Sequence, residues 1–256
     1  MIDISYQKKF LKVNQIWYPN DVTVSGLLRQ KRKADILFVH GVPAAETKGS
    51  FRKEQEFHTC MNDLTRPEED MLAAVNKAVR YQFRRSEKDN IEVCFYTKED
   101  IRKAPELLSK FSDIYKRMYQ SKGSDTRLNM SAVKRYLDAD AIIFSAVWHE
   151  GEMLVFHSYV CDDTDARLLH SASCFREESA DQSMIGRANK RLHWEDILYF
   201  KKKGLLRYDW GGISDFENPN GIDAFKLKFG GDKITYYNVF AGNTLLGKLA
   251  VTAIKV

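Results

Sequence analysis

The sequence predicts an α+β fold in which a central mixed β-sheet is flanked by helices. Three observations predict it. From Ile91 onward the elements run β, α, α, β, β, β, α, β, α, β. The three β-rich runs in the middle are separated by short polar turns, which makes an antiparallel meander. A long helix between the fourth and fifth strands forms a crossover, and a crossover leaves its two strands parallel. With 44% apolar and 12% aromatic side chains among 256 residues, the chain has the material for a packed core.

Residues 1–66 read as a small mixed segment, with Ile36–Val39 a short apolar strand and Phe51–Cys60 a charged strand or hairpin arm. Thr65-Arg66-Pro67-Glu68 has the form of a helix capping box. Behind it Met71, Leu72, Val75, Ala78, Val79 and Phe83 fall at helical spacing, predicting one helix to about Lys88. Its basic end (Arg80, Arg84, Arg85, Lys88) reads either as cations favourably placed at a helix C-terminus or as a phosphate-facing patch. Ile91–Tyr96 is a strand, and Thr97–Asp100 starts a helix whose stripe Ile101, Leu108, Phe111, Tyr115, Met118 is core-facing. Pro105 kinks this helix or splits off its first turn. A loop over Ser121–Asn129 leads to a short helix from Ser131.

The meander follows as Ala141–Trp148, Met153–Cys161 and Ala166–Cys174. A polar loop, Arg176–Ser183, then opens a helix that runs to Lys203 and is closed by Gly204, the residue type preferred just past a helix end. Leu206–Trp210 is a strand before Gly211-Gly212, Asn218–Gly221 a turn, Ile222–Phe229 a short helix and Thr235–Phe240 the last strand. The expected division is a small N-terminal α/β unit over residues 1–90 and a larger domain over 91–256.

The formal charge is mild, 40 basic against 35 acidic side chains or +5. It suits an anionic partner such as a nucleotide or RNA without marking a dedicated nucleic-acid binder. The four cysteines, Cys60, Cys94, Cys161 and Cys174, contain no C-x-x-C pair and read as reduced thiols. No segment reaches the roughly 18 to 20 apolar residues of a membrane span, and the start of the chain, with Asp3, Lys8 and Lys9, does not read as a signal peptide. A cytoplasmic protein is the expectation.

Three stretches carry a more specific signal: Leu192-His193-Trp194-Glu195-Asp196-Ile197, then Tyr208-Asp209-Trp210-Gly211-Gly212, then Phe225-Lys226-Leu227-Lys228-Phe229-Gly230-Gly231. Together they resemble the C-terminal signature of the FemAB-like branch of the GNAT acyltransferase superfamily, which includes peptidoglycan interpeptide-bridge transferases and related envelope or polysaccharide acyltransferases. The arginine-rich helix around Val79–Glu87 resembles the helix leading into the second GNAT unit of those proteins. The resemblance covers roughly residues 70–240 and implies a GNAT fold for residues 91–256, with 1–90 a truncated or degenerate GNAT-like unit. It implies N-acyl transfer from an activated donor, acyl-CoA or aminoacyl-tRNA, to an amine of an envelope precursor, peptide or sugar, with no tightly bound cofactor. One departure bears on the donor. The pyrophosphate loop of acetyl-CoA users, Q/R-x-x-G-x-G/A, is missing; Arg176–Arg187 stands in its place and retains only Gly186-Arg187. Relatives that use aminoacyl-tRNA lack that loop too.

Acyl transfer to an amine needs a deprotonated amine, a polarised carbonyl and a route for the proton. Lys226 reads either as an exposed lysine or as a cation placed for developing negative charge. Asp209 ends a strand before two glycines that admit close backbone approach; it either orients an amine or caps the turn. Glu195 falls beside Ala188, Leu192 and Tyr199 on the helical wheel, where a carboxylate must be paired or lie at a cleft. His157, Cys161, His170 and Cys174 resemble a zinc set, but a four-residue turn pairs His157 with His170 and puts the two cysteines at opposite ends of the hairpin, beyond the reach of one ion. No metal is expected. His157 and His170 remain as general-base candidates or as packed sheet residues. The donor site implied by the resemblance comprises Gly186, Arg187 and Asn189 on the crossover helix with Gly211 and Phe225 near the motifs. The rival reading is a non-catalytic GNAT-like module that has lost its donor site.

Overall fold

A computed structural model describes residues 1–19, 22–44, 47–177 and 181–254. The chain forms two compact units: residues 1–59, 212–219 and 233–256 make the first, residues 60–211 and 220–232 the second. The expected division at residue 90 differs from this one. The C-terminal strand pairs with a strand of the first forty-two residues and so joins the first unit, while the helices after residue 66 belong to the second.

In the first unit, β1 (Ile2–Lys8) and β2 (Leu11–Trp17) form an antiparallel hairpin, and β3 (Ile36–Val42) runs parallel to β2 after the helix α1 (Val24–Gln30). Thr23 caps α1 by accepting from the amide of Gly26 at 3.0 Å. β4 (Arg52–Asp63) begins in this unit; β10 (Asp232–Gly242) lies antiparallel to β3, and α9 (Leu245–Thr252) follows it. The core holds Ile16, Val24, Leu27, Leu37, Val39, Val239 and Ala241.

In the second unit the predicted single helix after Thr65 is two, α2 (Glu68–Ala74) and α3 (Lys77–Ser86). Val75 is extended between them, and Asn76 caps α3 by accepting from the amide of Ala78. The Thr65 capping box does not form. Thr65 donates its amide and hydroxyl to Asp63 Oδ1 at 2.9 and 2.6 Å instead. A capping box does form at Thr97 and Asp100, starting α4 (Lys98–Lys103), and Pro105 separates it from α5 (Glu106–Gln120) as predicted. β5 (Glu92–Tyr96), β6 (Ile142–His149), β7 (Glu152–Cys161) and β8 (Asp165–Ser173) are antiparallel neighbours, with α6 (Met130–Asp138) before β6.

The crossover helix α7 (Gln182–Lys202) delivers β9 (Arg207–Ile213) parallel to β8, as expected. This pairing is brief: it holds at Asp165–Arg207, Ala166–Tyr208 and Arg167–Asp209. A short helix, α8 (Gly221–Leu227), completes the unit. Its core gathers Leu64, Val79, Phe83, Tyr159, Trp194, Phe200, Tyr208, Trp210 and Phe229, so the aromatic residues of the C-terminal motifs are largely structural. No helix among the described residues is long and apolar enough to cross a membrane.

Candidate functional site

The decisive local feature is the end of the β8–β9 pairing. Gly211 takes φ +68°, and a Cβ there would stand 2.6 Å from the carbonyl oxygen of Leu168. Only glycine lets β9 pass β8 at this point. Asp209 fixes the bend, its Oδ1 accepting from the amide of Gly211 at 2.8 Å. Asp209 is buried, and its Oδ2 lies 3.9 Å from Nε of the buried Arg167. It is therefore part of the strand-end framework and acts on its surroundings through its charge.

A cavity of about 420 Å³ opens beside this bend, lined from β8 (Leu168, Ser171–Ser173), α7 (Ile185, Gly186, Asn189, Lys190, His193) and α8 (Ile222, Phe225, Lys226), and by Met118, Lys122, Phe175 and Arg176. Among the described lining residues are four cations, Lys122, Arg176, Lys190 and Lys226, and no carboxylate. Desolvation lowers the Lys226 ammonium pKa, opposed by the charges of Asp223 and Asp209 and reinforced by Arg167. Desolvation also lowers Lys190, with Lys228 and Arg187 adding to the effect. Asn220 positions α8 by accepting from the amides of Ile222 and Asp223 at 2.7 and 3.0 Å.

Behind the α7 wall lies a buried polar chain. His157 Nδ1 is 2.7 Å from Asp196 Oδ2, and Tyr159 donates its hydroxyl to the same oxygen at 2.6 Å. The Tyr159 and Tyr208 hydroxyls are 2.9 Å apart, and His193 Nδ1 lies 3.4 Å from the Tyr208 hydroxyl. Thus a hydrogen-bonded path runs from Asp196 to a histidine in the cavity wall. Burial drives His193 well below the usual imidazole range, aided by the charges of His157, Lys226 and Lys190, so it is neutral at pH 7. Burial pushes both tyrosine pKa values up, with Asp196 contributing. The donor atoms of His157, His193 and Asp196 lie within 4.8 Å of one another. They do not converge as ion ligands: the imidazoles stack at 4.0 Å, and the 2.7 Å His157–Asp196 contact is a hydrogen bond, shorter than the spacing of two ligands around a metal.

The predicted site residues are partly gathered here. Lys226, Phe225, Gly186 and Asn189 line the cavity, and Asp209 and Gly211 build the bend beside it. His157 is close but engaged, its Nε2 3.0 Å from Asn189 Oδ1 as well as its Nδ1 on Asp196, which leaves no ring nitrogen for a substrate proton. His170 is elsewhere. A bulge in the β7–β8 ladder pairs it with Ser158 and pairs His157 with Ser171, so the expected His157–His170 pair does not exist. One extra residue turns the two imidazoles to opposite faces. His170 accepts from or donates to Ser158 Oγ at 2.8 Å and meets the edge of Tyr115; desolvation lowers it to about 4.

Glu195 is also elsewhere, accepting from Arg191 Nε at 2.5 Å on the face of α7 that meets α3. Arg187 donates to both oxygens of Asp89 at 2.7 Å, an ion pair that ties α7 to the turn after α3. Asp181 caps α7, accepting from the amide of Met184. Within Arg176–Arg187, the stretch that stands in place of a pyrophosphate loop, Asp181 therefore starts a helix; Glu178–Ala180 lie outside the described residues. Arg80 and Arg84 line a shallow cleft that also contains Glu68, Glu87 and Glu195.

Sequence reasoning missed His193 and Lys190 as site residues. Their signal was the spacing Gly186, Asn189, Lys190, His193, which places them on one helical face with two predicted residues.

Solved structures share this fold. FemX superposes with a TM-score of 0.64 at 13% identity, over 98% of this chain and 86% of that one. The chain shares the fold of FemX. The C-terminal domain of a putative lysylphosphatidylglycerol synthetase from Agrobacterium fabrum gives 0.59 at 12% identity, covering 98% and 83% of the two chains. The L-PGS of Bacillus licheniformis gives 0.58 at 10%, covering 98% and 84%. No protein-family model matches the chain, and no curated protein sequence matches it.

Proposed function

We propose that the cavity between β8, α7 and α8 binds an activated acyl or aminoacyl donor and passes its acyl group to an amine. The observation that carries this reading is the wall of four cations without a carboxylate, with Lys226 partly desolvated on α8. Such a wall suits a phosphate-bearing donor and an oxyanion. In the reaction the amine attacks the carbonyl of a donor ester or thioester. Negative charge gathers on the carbonyl oxygen, where the Lys226 ammonium stabilises it. The bond to the leaving oxygen or sulfur then breaks, and the proton that the amine nitrogen sheds once it is bonded to the carbonyl carbon goes to that leaving group. His193, the neutral imidazole in the wall, relays this proton, and its link to Tyr208 fixes the ring.

Of the two donor classes, aminoacyl-tRNA fits better than acyl-CoA. Arg187 is held by Asp89, and Asp181 occupies the N-terminus of α7, so the helix start offers no pyrophosphate seat. The acceptor implied by the FemAB-like resemblance is an amine of an envelope precursor. Incubating the protein with radiolabelled aminoacyl-tRNA or acyl-CoA and a panel of amines tests this reading. Transfer from charged tRNA supports it; binding without transfer from either donor favours the non-catalytic module.

A further inference from the structure

The first unit carries a surface that neither the cavity nor its chemistry explains. Helix α9 presents its apolar residues outward: Leu245 is 78% exposed, Leu249 63% and Leu246 43%, while Gly247 and Val251 face the unit. Helices normally bury such a stripe. Three leucines on one exposed face form a patch that calls for a partner, and Phe51, 47% exposed, lies under the Lys248 ammonium at 5.1 Å.

The surroundings are basic. Arg29-Gln30-Lys31-Arg32-Lys33 spans the last turn of α1 and the residues after it, and Arg29, Arg32 and Lys33 are exposed. The basic run is fixed next to α9. Asn243 donates to the carbonyl of Lys31 at 2.9 Å, and the Asp35 carboxylate accepts from the Thr244 hydroxyl at 2.7 Å and the Lys12 amide at 2.8 Å. Gly247 packs so closely on Asp35 that a Cβ would overlap its carbonyl oxygen. Of the nearby acids, Asp35 is held by these bonds and Asp3 pairs with Lys31. A cleft of about 610 Å³ lined by Lys12, Lys31, Arg32 and Lys33 adjoins them.

We infer that this face docks the protein on an anionic lipid surface, the leucines of α9 entering the interfacial region while the basic run meets lipid phosphates. Charge complementarity selects this occupant. Exposed leucine side chains gain by leaving water for the acyl boundary, and each lysine or arginine at an anionic surface adds attraction. A nucleic acid would use the cations and leave the leucines in water. A second copy of the chain would oppose two basic runs.

The test is co-sedimentation of the purified full chain with vesicles of phosphatidylcholine alone and of phosphatidylcholine with phosphatidylglycerol. Binding is expected only to the anionic vesicles, weakening with added salt. Both L245S/L249S and R32E/K33E reduce it by roughly tenfold or more, and both retain the parent melting temperature because the altered side chains are exposed. Equal binding to both vesicle types, or loss with R32E/K33E but not with L245S/L249S, overturns the inference. A dimer in solution that L245S/L249S dissociates, without vesicle binding, overturns it in favour of a second copy. The measurement is independent of acyl-transfer activity.

Discussion

Oδ1 of Asp209 accepts the amide of Gly211 at 2.8 Å, two residues apart, at the point where β9 leaves β8. This one contact joins the two most informative positions of the Tyr-Asp-Trp-Gly-Gly motif. The aspartate closes the bend and the glycine makes it sterically possible. Gly211→Ala must move the backbone away from the Leu168 carbonyl and adopt a positive φ. It is expected to destabilise the protein by roughly 2 kcal/mol or more, seen as a lower urea midpoint. An unchanged midpoint would show that the bend tolerates a side chain.

The Arg187–Asp89 ion pair separates a structural role from a donor-binding one. Both side chains are nearly buried, and removing one partner leaves an uncompensated charge. Asp89→Asn should cost about 1–2 kcal/mol in urea unfolding while leaving the donor KM unchanged. A raised KM with intact stability would return Arg187 to the donor site.

Asp196 holds both His157 and Tyr159 in a site from which water is excluded. Asp196→Ala should destabilise the second unit by about 3 kcal/mol or more. The same variant releases the Tyr208–His193 end of the path, so surviving folded protein should show an altered His193 imidazole resonance in NMR. A resonance at its parent position would mean that the path ends before His193.

His170 gives stability a pH dependence. Its folded pKa, lowered to about 4 by desolvation, lies below the unfolded value of about 6.5. Between these values the unfolded chain binds the extra proton. The contribution is therefore full above about pH 6.5 and is lost as pH falls towards about 4. His170→Asn should flatten the unfolding free energy in that window; an unchanged slope would place the titration elsewhere.

Much of the fold was legible because local rules and packing agreed. The Asp162–Asp165 turn, the crossover helix ended by Gly204 and the break at Pro105 each rest on chemistry within a few residues. The capping box was misplaced because Thr65 found a nearer acceptor in Asp63, whereas Thr97 met no such competitor. The His157–His170 pairing failed for a different reason: a single bulge residue reverses the face of every side chain beyond it, and nothing in the alternation of Ala166–Cys174 announces it. Lys226, Phe225 and Gly211 were reachable through motifs. His193 was not separated from its apolar neighbours, because a buried neutral histidine reads like core until Tyr208 and the cavity are brought against it.

The central claim is that Lys226 acts on the transferring acyl group within the β8–α7–α8 cavity. Single-turnover transfer of a labelled aminoacyl group from charged tRNA to an amine, in the parent protein and in Lys226→Ala and Lys226→Met, tests it most directly. The account predicts that both variants fold and bind donor but transfer more slowly by about 10²–10³-fold, the effect of removing one charge-stabilising group. Transfer within threefold of the parent rate in both variants would contradict it.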